Sequence, residues 1–553
     1  MPPDHLLTSS DSGSIIANIV DVFSRRIFFA ELVWQDGFIV NITELGPKNA
    51  RFSYLIPGFI DAHVHIESSM LTPSEFARIA VRHGTVAAVS DPHEIANVLG
   101  LDGIRFMLDN ARQTPFKFFF GASACVPATS FETAGARLES EQLETLFQTR
   151  EVTYLSEMMN YRGVLDNDPG ILGKLQLAQR YGCKIDGHAP GLSGRDSARY
   201  ADAGISTDHE CSTLIEAEDK LACGMLILIR EGSAARNFEA LHPLISRYPD
   251  KVMLCSDDKH PDDLVSGHIN KLATRALELG HSLFDILQCA AINPIRHYGL
   301  SIGQLQPGDR MDAVQVSDLR TLTPLKTWLA GQLVAENGES LLPVVKSSPI
   351  NRFNAQSIQP ADLALKSKGG AIRVIKAIDG ELLTRELLLR PKVSNGNIIP
   401  DITRDILLLM VLNRYRPEKP AVAFIQGFGL RQGALASSVA HDSHNIIAVG
   451  TDADAICRAV NAIIDQKGGI ASVCNNTLDC LSLAIAGLMS DKDGDFVAHR
   501  YAELDGIAKQ MGSTLRAPFM TLSFMALLVI PELKLSDQGL FDSRAFKFTD
   551  LTM

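Results

Sequence analysis

The sequence predicts an α/β protein: a (β/α)8 TIM-like barrel, a small β-sandwich domain built from the segments flanking it, and a C-terminal α/β domain. Three observations carry this. Between Pro57 and Asp257, eight β-type runs alternate with helix-type segments, spaced by about 20 to 35 residues, the length of a βα unit. Short strands and turns recur just before and just after that region, at Ser14–Glu44 and Gln304–Glu339. A linker rich in Ser, Pro, Asn and Gln, Ser347–Lys368, then precedes a further domain-sized stretch, Gly369–Met553.

The eight runs are Phe59–Val64, Thr85–Ser90, Lys117–Gly121, Val152–Ser156, Cys183–Gly187, Gly204–Thr207, Met225–Ile229 and Lys251–Cys255. Segments such as Pro73–His83 and Pro169–Tyr181 read as the helices between them. Parallel strands with crossover helices in this number favour a barrel over an open sheet. The expected domains are residues 1–56 with 304–346, residues 57–303, and residues 369–553.

A chain of 553 residues is too long for one ordinary core. With 46% hydrophobic and 21% charged residues it has the composition of a folded soluble protein. A net charge of −12 argues against a nucleic-acid partner, which calls for a basic face. Met1–Gly13 is polar and acidic, without the basic and apolar regions of a secretory signal. Phe519–Ile530, the most apolar run, is about a dozen residues long, and a membrane span takes roughly 20. It reads as a buried strand or a core helix, with no membrane partner. The nine cysteines are scattered with no CxxC, as in a reduced cytoplasmic protein with buried thiols.

Polar residues recur at the C-terminal ends of the predicted strands, where a barrel of this type places its active site. Strand one ends in Asp61-Ala62-His63-Val64-His65. Alternate strand residues share a face, so both imidazoles can reach one metal. Strand two ends in Asp91-Pro92-His93-Glu94, strand four in Glu157, strand five in His188, strand six in His209, and strand eight in Asp257 and Asp258. Singly, each has an ordinary explanation: a surface carboxylate, an ion pair or a satisfied core histidine. Together they meet at one point if the barrel closes. Histidines and carboxylates without thiolates suit Zn²⁺, Fe²⁺ or Mn²⁺. Two cations give a reason for six donors, since a carboxylate such as Glu157 can bridge them.

Longer stretches narrow the reading. PGFIDAHVHIESSM (Pro57–Met70), DPHEIANVLG (Asp91–Gly100), SEMMN (Ser156–Asn160), DGHAPGLSG (Asp186–Gly194), STDHE (Ser206–Glu210), IREGSAARN (Ile229–Asn237) and CSDDKHPDDL (Cys255–Leu264) resemble the adenine deaminase family of the amidohydrolase superfamily. So do Phe424–Asp452 and PFMTLSF (Pro518–Phe524). The resemblance implies a metal-dependent hydrolase acting on the C–N bond of a cyclic amidine, converting adenine to hypoxanthine and ammonia in purine salvage. It implies that His63 and His65 bind the more buried metal and that Glu157 bridges. It places His188 and His209 on the second metal, and makes Asp257 both a ligand and a proton carrier. It further implies a binuclear centre of Mn²⁺ or Fe²⁺, with Zn²⁺ as the alternative, in a cytoplasmic homo-oligomer, a dimer.

The mechanism expected has a hydroxide made at the metals attacking C6, with Asp257 passing its proton to the departing amino group. Glu94 is the expected contact to purine N1, with His93 in an accessory metal or catalytic role. An ion pair or a helix N-terminal carboxylate is the plainer reading of either. Ser256 and Asp258, flanking Asp257, are further substrate-binding candidates, and Arg230 and Glu231 end strand seven where they face other purine edges. Ala440–Asn445 contains His441 and His444. It reads as a further metal site, a closure over the barrel mouth or, by default, a hydrogen-bonded turn.

Three other functions compete. The barrel ligands alone also fit hydrolysis of a cyclic amide, another purine or an N6-substituted adenine. A non-catalytic barrel scaffold would have lost ligands, and here none is missing. The small zinc deaminases need HxE followed by PCxxC, which this chain lacks.

Overall fold

The computed structural model describes residues 12–475 and 477–553. Nearly all of the polar N-terminal stretch read for a secretory signal lies outside the described residues.

The described residues open with β1 (Gly13–Asp21), β2 (Arg26–Gln35), β3 (Phe38–Pro47) and β4 (Tyr54–Pro57). After the central region come β13 (Ala313–Val316), β14 (Pro324–Leu329), β15 (Gln332–Glu336) and β16 (Glu339–Ser340). The two flanks pair into one eight-stranded sheet ordered β16-β15-β14-β13-β4-β1-β2-β3. β4 is the joint, parallel to β1 and antiparallel to β13.

One residue, Gly58, separates β4 from β5 (Phe59–Val64). A Cβ there would sit 2.3 Å from Val86 Cγ1, so only glycine lets the two strands pass this closely. The parallel strands continue as β6 (Thr85–Ser90), β7 (Lys117–Ala122), β8 (Tyr154–Met158), β9 (Lys184–Gly187), β10 (Thr207–Asp208), β11 (Leu226–Arg230) and β12 (Val252–Cys255). They form one five-stranded parallel sheet, β5 to β9, and one of three, β10 to β12. Backbone bonds link the two sheets. Ser206 N–H donates to Ile185 O at 2.9 Å on one side, and Asp257 N–H to His63 O at 2.9 Å on the other. β5, β6 and β12 are buried along their whole length, as helix-covered parallel strands should be.

Two strands begin two or more residues away from the sequence expectation, and four others shift by a single residue at one or both ends. β8 begins two residues late, so Glu157 lies within the strand instead of after it. β10 excludes Gly204, whose φ of +99° and amide bond to Ala201 O make it the end of a helix.

The linker 347–368 is seated, with Asn354 N–H donating to Arg414 O at 2.7 Å. Beyond it lies an eight-stranded, mostly antiparallel sheet centred on the fully buried strand Leu407–Leu412, with helices Ala453–Gln466 and Gly494–Gln510. The apolar run at 519–530 resolves to the helical alternative, a helix at Pro518–Ser523 continued by a 3-10 turn at Phe524–Ala526. No helix among the described residues is long and apolar enough to cross a membrane. One apolar core runs from Phe76, Ile79 and Met107 of the central region to Val497, Tyr501 and Met520 of the C-terminal region.

Candidate metal centre

His63 and His65 alternate along the end of β5, and both are buried. His65 Nδ1 lies 3.1 Å from Asp91 O. A carbonyl can only accept, so this nitrogen carries the proton and Nε2 presents its lone pair inward. His65 Nε2 lies 3.2 Å from His63 Nε2, 3.3 Å from Asp257 Oδ1 and 3.2 Å from Glu157 Oε1. The other oxygen of Glu157 lies 2.7 Å from His188 Nδ1 and 3.2 Å from His209 Nε2. Glu157 thus stands between two groups of histidines.

These separations suit cations. Donors about 2.1 Å from a common ion are themselves about 3.0–3.4 Å apart. His63, His65 and Asp257 form one such group, and His188, His209 and Glu210 another. The cavity they border is lined by six carboxylates (Glu94, Glu157, Glu210, Asp257, Asp258 and Asp442) against a single guanidinium, Arg230. This excess of negative charge also favours cations.

Arg230 closes the cluster from β11. Its Nη1 lies 2.5 Å from Asp257 Oδ2 and also binds Glu210, whose second oxygen is 2.9 Å from Nη2. Burial works against charge on Asp257, but Arg230, His63 and His65 hold its carboxyl well below the usual range. Burial likewise opposes charge on His209, yet Glu157 and Glu210 raise it to about 10. Asp257 itself has a φ of +54°, the left-handed turn by which the chain leaves β12.

Of the sequence-predicted residues, His63, His65, Glu157, His188, His209 and Asp257 come together in this cluster. His93, Glu94 and Asp258 line the adjoining wall. His93 Nδ1 is 2.9 Å from Asp91 Oδ2, and its Nε2 is 3.3 Å from Glu94 Oε1. Asp258 accepts from Ser68 Oγ at 2.5 Å, and burial together with Asp257 raises its carboxyl. Ser256 is not brought to the cavity. Its amide and hydroxyl are both taken by Asp61, which His268 also holds at 2.8 Å. Glu231 pairs with Arg275 at 3.0 Å, and Arg230 is occupied by its two carboxylates.

Ala440–Asn445 is the hydrogen-bonded turn of the default reading, with His444 N–H donating to Ala440 O at 2.7 Å, and it also brings His441 and Asp442 to the cavity. His441 Nδ1 lies 2.5 Å from Glu94 Oε1, and His444 Nε2 binds Glu94 Oε2. Burial alone would neutralise Glu94, but these two imidazoles hold its carboxyl well below the usual range. The C-terminal region also supplies Leu382, Phe524 and Leu527, which line this cavity together with Met159. Phe524 stacks on His441 at 4.7 Å. Lys534, fully buried, donates to Leu382 O at 2.7 Å and Phe524 O at 2.9 Å, tying two wall segments together. Sequence reasoning missed Glu210, although it adjoins His209, and missed these apolar walls altogether.

Residues 54–334 match the amidohydrolase family, and residues 381–547 match the adenine deaminase C-terminal domain. A protein of Salinibacter ruber named adenine deaminase is 52% identical, over 98% of this chain and 99% of its own length. Relatives of the same name from a Sulfurovum species and Methanosarcina mazei are 52% and 50% identical, over 97% and 96% of this chain and 98% of each relative. With likeness at this level along almost its whole length, the chain belongs to the amidohydrolase family and, within it, to the adenine deaminases.

Proposed function

We propose that the protein hydrolyses adenine to hypoxanthine and ammonia, as a purine-salvage deaminase. The observation that carries this reading is the approach of three imidazoles, His65, His188 and His209, to the single carboxylate of Glu157. It occurs in a chain about half identical to proteins named adenine deaminase.

In this reading His63 and His65 would hold one metal and His188 and His209 a second, with Glu157 between them and Asp257 as a further ligand. The metals are Mn²⁺ or Fe²⁺, with Zn²⁺ as the alternative. When bound, they supply a water acidic enough to be a nucleophile near neutral pH. Asp257 Oδ1 takes the proton from the attacking water and passes it to the amino group, while Arg230 on Oδ2 keeps the carboxylate ionised and oriented. The water oxygen bonds to C6, the C6–N6 bond breaks, and ammonia leaves with the transferred proton. Ring N1 takes up a proton as C6 becomes tetrahedral. Glu94, ionised beside His441, relays this proton from the His441 imidazole with help from His93, and the second water proton, lost from the C6 hydroxyl as the carbonyl forms, restores it. Met159, Leu382, Phe524 and Leu527 cover the ring faces and exclude water.

The same proposal takes β5 to β12 as a closed (β/α)8 barrel, supported by the backbone bonds on both sides between the two parallel sheets. The flanking sheet is a β-sandwich in this view. Trp34 of β2 and Trp328 of β14 meet at 6.5 Å between centroids, in one core with Ala17 and Met311. The domains are residues up to 56 with 304–346, 57–303 and 369–553. A cytoplasmic homodimer is proposed by family analogy alone.

The test is adenine turnover followed by ultraviolet absorbance, in protein purified with Mn²⁺ and without oxygen, beside His63→Ala. Conversion by the wild type and none by the variant is expected. No conversion by protein holding both metals would remove adenine as the substrate.

A further inference from the structure

Asp442 is an acidic residue on the cavity wall that the reaction just described leaves unused. It lies in the loop between strands Ala434–Ser437 and Ile446–Gly450. That loop is firmly held. Arg414 donates to His444 O at 3.1 Å, Tyr415 Oη to Ser443 O at 2.5 Å, and Asn445 Nδ2 to Thr133 O at 2.9 Å. Asp442 is 3% exposed and faces the cavity. Its nearest cationic partners are beyond hydrogen-bond reach: His93 Nε2 at 3.8 Å and His441 Nδ1 at 4.0 Å, both from Oδ1. Oδ2 is buried without a hydrogen-bond partner. A carboxylate oxygen in that state carries a desolvation cost that a ligand donor would relieve.

The chemistry of the substrate says which donor. A free aminopurine offers two kinds of N–H, the exocyclic amine and the one ring N–H of its imidazole half. In the proposed reaction the amine must lie at the reacting centre, beside Glu157 and Asp257. The imidazole ring of His93 spans the gap from there to Asp442, with Nδ1 3.4 Å from Glu157 Oε1 and Nε2 3.8 Å from Asp442 Oδ1. A second ring fused to the reacting one covers a gap of that kind. We propose that Asp442 accepts the imidazole-ring N–H of the purine and thereby restricts the site to free bases. A base substituted at that nitrogen, as in a nucleoside, has no proton there and would leave Asp442 buried and unpaired. Sites built on such a hydrogen bond reject analogues lacking it by about 10⁴–10⁵.

This inference rests on the adenine reading, so wild-type turnover of adenine is measured first; its failure would sink that reading. Given turnover, kcat/KM is measured for adenine and 9-methyladenine in wild type and Asp442→Asn, with metal content determined for both proteins. The expected result is a strong wild-type preference for adenine. In the variant, KM for adenine should rise by about 10- to 100-fold, the preference should narrow, and the metals should remain. An unchanged preference and KM in the variant would overturn the inference. So would an equal loss on both substrates. Should the variant not fold, inhibition of the wild type by hypoxanthine and 9-methylhypoxanthine decides. Inhibition by the first and not the second sustains the role of Asp442, and equal inhibition overturns it.

Discussion

Glu94 of the central region is gripped by His441 of the C-terminal region, with Nδ1 2.5 Å from Oε1 and both side chains buried. His444 holds the other oxygen, so one carboxylate ties together segments about 350 residues apart. Substituting His444→Ala leaves Glu94 one partner short in a buried setting. Burial favours the neutral form of His444, so a loss of about 1–3 kcal/mol is expected, read as a lower urea midpoint with an unchanged slope. A loss within experimental error would mean that the contact carries no weight.

Glu157 is the common neighbour of both histidine groups. Glu157→Ala should abolish metal retention, measured by elemental analysis, while far-ultraviolet circular dichroism stays native. Full metal content in this variant would refute the bridging role.

Arg230 serves Asp257 and Glu210 at once through its planar fork. Lysine carries the same charge as a single point and cannot satisfy both. Arg230→Lys should lower kcat by about 10²-fold or more while the metals stay in place. Wild-type kcat in this variant would show that charge alone suffices.

Lys534 makes a pH prediction of definite sign. Burial pulls its ammonium from 10.5 down to about 7. The unfolded lysine keeps its proton to about pH 10.4. Between pH 7 and 10 the unfolded chain therefore binds more protons, and stability rises with pH. Lys534→Met removes that slope. Relative to wild type, the variant should do best near about pH 6 and lose ground toward about pH 10, by on the order of 4 kcal/mol across the window. Denaturant titrations at both ends read it, and a gap independent of pH would mean that Lys534 stays charged in the fold.

Metal removal provides the last test. A ligand that binds only the native state stabilises it by mass action, so chelation should lower Tm, and Mn²⁺ should restore it. Mg²⁺ and Ca²⁺ should not, because a set with four imidazoles suits transition metals better than hard cations. Restoration by Mg²⁺ alone would contradict the nitrogen-rich site.

The parallel strands and the six clustered side chains were legible because each rests on a local pattern. HxH on a strand, or a polar residue closing an apolar run, is set by neighbours one or two positions away. Gly204 misled because an apolar run beginning with glycine looks the same whether the glycine opens a strand or ends a helix. Ser256 stood beside Asp257 in sequence, yet strand alternation turned it toward Asp61 on the opposite side. The pairing of Arg230 with Glu210 depends on adjacent strands meeting in register, and the grip of His441 on Glu94 depends on docking between distant segments. Neither leaves a periodicity to read.

Because His441 and Phe524 come so late in the chain, the order of synthesis has a consequence. By the time Asp257 leaves the ribosome, all six proposed metal-binding side chains exist. At about 5–20 residues per second, Phe524 follows only after roughly 15–50 s. During that interval the nascent cluster has neither its apolar lid nor the two histidines that hold Glu94. A cation binding in that interval would meet an open, acidic bowl and not the finished cavity.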